Sequence, residues 1–168
     1  TQVEVKFDPR MDVSTEALQA RYEALKALES EKELALGRVE QIKEKLTIID
    51  ELTKRMKAKN EKAFEAELKR SKETKDTLNS LLDLYLGKED DRQGITADQT
   101  DNVDSYYGTA YFYLSNGLHV PTRTEKAMVA KFKSVMEVAN QKTDDYLAAN
   151  WAQYKEQMEA LDLSPFKD

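Results

Sequence analysis

The side chains that could carry chemistry in this chain are few. His119 is the sole histidine in 168 residues, and there is no cysteine. A zinc site of ordinary type draws on several His and Cys ligands, so this chain cannot supply one. Carboxylate-bridged metal centres in helical bundles pair Glu-x-x-His motifs on facing helices, and none occurs. The acidic run Glu89, Asp90, Asp91, Gln93, Gly94 has a faint likeness to a calcium loop, but Thr100 stands where the closing glutamate belongs. No GxSxG elbow, phosphate-binding glycine loop, HExxH helix or Ser/Lys dyad nominates a nucleophile. No catalytic residue, cofactor or metal is therefore implied.

Two groups remain as candidates for loop ordering or interaction. Arg92 lies between Asp90, Asp91 and Gln93 in the one long stretch without helical periodicity, residues 88–102. A guanidinium is a planar fork of five donors and can hold two carboxylates at once, so Arg92 is expected to staple this loop onto the body of the protein. Ile95 is the loop's apolar anchor. The second group is Tyr106, Tyr107, Tyr111 and Tyr113, four tyrosines within eight residues. Amphipathic rings suit half-wet contacts, and the cluster reads either as the core side of a short helix or as a face for a glycan or protein partner.

The elements that position these residues are helices. Over residues 15–56, Leu18, Tyr22, Leu25, Val39, Ile42, Leu46, Ile49, Leu52 and Met56 recur at three- and four-residue steps, with no Pro and one Gly. That spacing predicts one long amphipathic helix starting near Ser14, with Leu34, Ala35 and Leu36 continuing the stripe after a polar interruption at Glu29 and Lys32. Asn60 offers a turn and a cap before a second helix that runs to Leu86, with Gly87 at its C-terminal end. Ser71, Thr74 and Lys75 interrupt this second stripe, and folding it back on the first would let the two polar patches meet. Asp101 or Asn102 caps a third, shorter helix ending at Asn116-Gly117. Thr122 and Glu125 form a capping box for a fourth that runs to about Leu161, with Phe166 docking back on it. The expectation is an all-α fold, an up-and-down four-helix bundle with two long and two shorter helices over residues 12–168. Before it, Val3, Val5 and Phe7 alternate with polar residues as in a half-buried strand, so residues 1–11 read as the residual last strand and linker of a preceding β-domain.

Bulk composition agrees: 35% charged against 40% hydrophobic residues, with 5 Gly and 3 Pro, describes long helices rather than a loop-rich enzyme. The net charge of −6, with acidic and basic residues interleaved, argues against nucleic acid as a partner. No apolar run is long enough to span a bilayer. The lack of cysteine fits either a reducing compartment or an export route.

Taken together, VEVKFDPRM leading into a long helix, GKEDDRQGIT, PTRTEK and LSPFKD resemble the C-terminal helical region of bacterial sortilin-like proteins with BNR (Asp-box) propellers, often labelled glycosyl hydrolase or sialidase-like. In that family a propeller is followed by a small β-sandwich, a DPR turn and a helical tail. The resemblance implies an exported protein, periplasmic or at the cell surface. It implies a non-catalytic accessory domain, packing on preceding β-domains of its parent chain or binding protein or glycan. The alternative it leaves open is a domain that completes a glycan-processing site situated mainly on the propeller. It brings no catalytic residue onto this chain.

Overall fold

The computed structural model describes residues 13–88 and 101–161, together with Val3, Asp8, Arg10 and Leu163. Every element among the described residues is helical. Val5 and Phe7 lie outside the described residues and Val3 is exposed, so the expected strand has no counterpart among them. The loop group Asp90, Asp91, Arg92 and Gln93, with Ile95 and Thr100, also lies outside them, as does Phe166.

Helix α1 (Thr15–Asn60) begins at an N-cap where the Ser14 hydroxyl accepts from the Ala17 amide. Its 46 residues make a rod of about 70 Å. Arg21, Leu28, Ala35, Ile42, Ile49 and Met56 are buried in it at intervals of seven. A seven-residue period keeps one seam turned to its neighbours along the entire rod, as in coiled coils. This seam differs from the predicted stripe near the N-terminus: Tyr22 is 60% exposed, and of Leu34, Ala35 and Leu36 only Ala35 is buried. The line of sevens passes through Arg21, which an apolar pattern skips.

A turn over 61–64, in which the Asn60 carboxamide oxygen accepts from the Ala63 amide, leads into α2 (Glu65–Leu86). Gly87 ends α2 at φ 82°, a backbone region that favours glycine. Helix α3 (Val103–Ser115) starts where the Asn102 side chain accepts from the Ser105 amide. Helix α4 (Arg123–Tyr146) opens on the predicted capping box, then continues through a π-helical segment (Leu147–Trp151) into α5 (Ala152–Glu159).

The contacts correct the expected up-and-down order of four. Lys75 of α2 pairs with Asp50, whereas Asp104 at the start of α3 pairs with Lys32 and Leu114 near its end meets Arg21. Both α2 and α3 therefore run antiparallel to α1, one covering its C-terminal half and the other its N-terminal half. Helices α4 and α5 run parallel to α1, with Lys133 on Glu31 and Arg38 on Asp144. The protein is a helical bundle of three legs whose descending leg is made of two helices. The physical reason is length: α2 has 22 residues and cannot cover a seam of 46.

The same geometry keeps the two polar interruptions apart. Ser71 bonds the Tyr154 hydroxyl at 2.9 Å and Thr74 is buried, while Lys32 faces α3 instead. Tyr85 is likewise satisfied, its hydroxyl lying 2.9 Å from Asn140 Oδ1 and 3.1 Å from Thr143 Oγ1. Burial raises the pKa of Tyr85 and Tyr154, so both hydroxyls stay protonated and bridge the legs as neutral groups.

The direction of α3 is directly measurable, since a chain without cysteine accepts spin-label pairs freely. Labels at Glu23→Cys and Ser115→Cys are expected within about 20 Å, and labels at Glu51→Cys and Ser115→Cys about 40 Å apart, the rise of 28 helical residues. The reverse pattern would restore the up-and-down order.

Candidate functional site

Helix α3 carries all four tyrosines singled out from the sequence, and the structure divides them. Val103, Ala110 and Leu114 form its buried line against the other legs. Tyr106 and Tyr107 flank that line and are half-buried. The Tyr107 ring stacks on Tyr111 at 5.8 Å, meets Phe132 edge-on at 5.9 Å, and lies 5.0 Å from the Lys32 ammonium. Lys32 thereby joins a cation–π contact to its ion pair with Asp104. Tyr106 donates to Asp101 at 2.6 Å beneath the Lys131 ammonium. The Asp101 hydrogen bond raises the Tyr106 pKa and burial raises that of Tyr107, so both act as protonated hydroxyls at neutral pH.

The outer side is different. Tyr111 is 39% exposed, Tyr113 46% and Phe112, which the tyrosine count passed over, 63%. Phe112 and Tyr113 meet edge to face at 5.8 Å. With Ser105, Gly108 and Thr109 they line a shallow depression of about 480 Å³. A Cβ at Gly108 would meet nothing within 4 Å, so the glycine leaves the floor of the depression open without any packing need for it. Leu118 and Val120 in the following connection are also exposed. The arrangement can stack on an apolar or ring face and offer hydroxyls at its edge. It contains no nucleophile paired with a base. Among the described residues, no three His, Asp or Glu side chains converge.

One polar centre escaped the sequence reading. Arg21 is buried at the lower end of the bundle, the end where α1 begins, donating from Nη1 to Leu114 O (2.6 Å) and Glu125 Oε1 (2.9 Å) and from Nε to His119 O (2.9 Å). The other Glu125 oxygen accepts from the Thr122 amide at 2.6 Å. Burial would raise the Glu125 pKa, but the Arg21 guanidinium and the Thr122 hydrogen bonds outweigh it and hold the carboxyl at about 2. His119 contributes its backbone carbonyl to this centre while its own residue stays exposed. The signals were present: an arginine on the buried seam needs an anion, and Gly117 leaves room for the guanidinium. A Cβ there would stand 2.2 Å from Arg21 Cζ.

Comparison of the chain with family models, curated proteins and solved structures gives no match.

The two glycines make opposite predictions. Gly117→Ala drives a methyl into a guanidinium held by three acceptors and is expected to cost about 1–3 kcal/mol in urea unfolding. Gly108→Ala, mid-helix with open space, is expected to stabilise by about 0.5–1 kcal/mol. Equal effects at the two sites would contradict this account of Arg21.

Proposed function

We propose that this chain is a non-catalytic helical accessory domain of a larger exported protein. In this reading the outer face of α3 docks against a preceding β-domain of the parent chain or a protein or glycan partner. The observation that carries the reading is the exposed group Tyr111, Phe112 and Tyr113. Phe112 and Tyr113 touch each other in solvent, and aromatic rings are enriched where proteins meet. The polar clusters, by contrast, are consumed internally: the Arg21 and Glu125 pair, the Tyr85 bonds and the Ser71 to Tyr154 bond all tie one leg to another. The motifs VEVKFDPRM, GKEDDRQGIT, PTRTEK and LSPFKD support the setting by resembling the tail that follows sialidase-like propellers, which is also the basis for export to the periplasm or cell surface.

The alternative is that the domain completes a glycan-processing site on such a propeller, with residues 88–102 and the α3 rings reaching over it. The depression beside Phe112 would then be a sugar-stacking wall.

A single thiol reporter separates these readings. Phe112→Cys in the isolated chain is expected to react with a maleimide at the rate of an exposed thiol, and much more slowly in the intact parent protein. Equal rates in both would remove the interdomain reading. Relief of the protection by an oligosaccharide substrate would favour the glycan site, and hydrolysis of aryl glycosides by the isolated chain would overturn the non-catalytic reading.

A further inference from the structure

Acidic and basic residues alternate along most of the chain, but not in the hairpin that joins α1 to α2. Residues 54–75 hold nine Lys or Arg and four Glu, a net of +5; since the chain totals −6, the other 146 residues carry −11. The fold converts this run into a surface. A groove of about 900 Å³ lies between α1 and α2, with Ile49, Thr53, Leu68 and Ser71 among its lining residues. Lys57, Lys62, Lys69 and Lys72 also line it; all four are exposed and none makes an ion pair or hydrogen bond among the described residues. Lys75, further along, is already paired with Asp50.

We propose that this groove binds an acidic amphipathic helix of a partner protein, which would lie along α1 and α2 as a fourth leg beside the three of the bundle. Charge complementarity selects an anionic occupant. The lining then selects its form. Half-buried Leu68 and the carbon stems of the flanking lysines, over the buried Ile49, give the groove an apolar floor between two helices, the kind of surface on which an amphipathic helix lays its apolar face. No large apolar side chain is exposed from Ile49 to Tyr85, so the hairpin has nothing to insert into a bilayer. Asp50, Glu61 and Glu65 line the groove beside the lysines and would repel a continuous phosphate backbone, and no aromatic residue lines it to stack on bases or sugars. A helix with carboxylates along its flanks can pair with the four lysines and place neutral or basic positions against the glutamates.

The proposal adds a second contact to the interaction-domain reading and does not depend on the α3 face. The two lie about 45 Å apart, the rise of some 30 residues of α1 between the level of Glu23, near which Phe112 lies, and that of Thr53 in the groove.

The test uses a synthetic peptide of about four turns with Leu at the a and d heptad positions and Glu at the flanking ones. Binding to the whole chain is followed by fluorescence anisotropy and by amide shifts. The peptide is expected to bind at least about tenfold more tightly than a scrambled isomer of the same composition, to weaken as salt rises, and to shift amides of residues 49–75. Lys57→Gln/Lys62→Gln/Lys69→Gln/Lys72→Gln, and the corresponding Glu variant, should each lose binding by at least about tenfold while keeping the wild-type circular dichroism spectrum. Equal binding of the scrambled isomer would reduce the groove to a nonspecific polycation and overturn the proposal. So would shifts confined to α3, or stronger binding to vesicles of phosphatidylcholine and phosphatidylglycerol or to a single-stranded oligonucleotide. The thiol-labelling rates at residue 112 are unaffected by any of these results, so either reading can fail alone.

Discussion

The bundle's lower end depends on one buried ion pair. Taking a guanidinium and a carboxylate out of water is costly, and the cost is offset only where geometry is good and the remaining donors and lone pairs are used. Here they are used by four segments at once. Arg21 brings the start of α1 to the last turn of α3 through Leu114 O and to the connection through His119 O, and Glu125 fixes that connection to the first turn of α4. A capping box alone orders one helix end. With Arg21 attached, the same glutamate sets where three helices meet, and thereby the level at which α3 lies beside α1.

Above that anchor the structure follows from a mismatch of lengths. A seam repeating in sevens along α1 asks for partners over its full length, and the hairpin supplies only half of them. Helix α3 covers the other half, which forces it to descend and turns Tyr107 onto Phe132 and Lys32. A 13-residue helix serving as the end of a leg has two faces to fill and few residues to fill them with. Its outer face keeps Phe112 and Tyr113 in solvent. The third leg accommodates its own irregularity with the wide turn at Leu147–Trp151. At its end Trp151 packs 5.4 Å from Tyr154 with the Lys45 ammonium 5.6 Å from its ring.

Local features were legible in the sequence because local physics decides them. Ser14 and Asn102 cap helices, Gly87 ends one, and Thr122 with Glu125 forms the box that the residue types require. What was not legible is set by distant partners. Tyr22 reads as core in an apolar pattern and is exposed, because the seam takes Arg21 in its place, and only Glu125, 104 positions away, makes an arginine there affordable. The descent of α3 depends on which half of α1 is uncovered, and no periodicity within α3 encodes that. The tyrosine cluster was neither all core nor all surface. Counting tyrosines also hid Phe112, the most exposed ring of the group. The basic groove was lost to averaging, since a net charge taken over the chain conceals a run of 22 residues with the opposite sign.

Glu125 is ionised and paired with Arg21 in the folded protein, and its titration measures this directly. A folded pKa near 2, below the ordinary 4.5, means that the carboxyl's contribution to stability is complete above about pH 4.5 and is lost as pH falls through about 2. Carbon-13 NMR of the Glu125 side-chain carboxyl, assigned by comparison with Glu125→Gln, should therefore show no titration between pH 7 and 3.5 while the exposed glutamates change over their usual range. A Glu125 midpoint at 4 or above in the folded protein would contradict the pairing with Arg21 and, with it, this account of how the legs are joined.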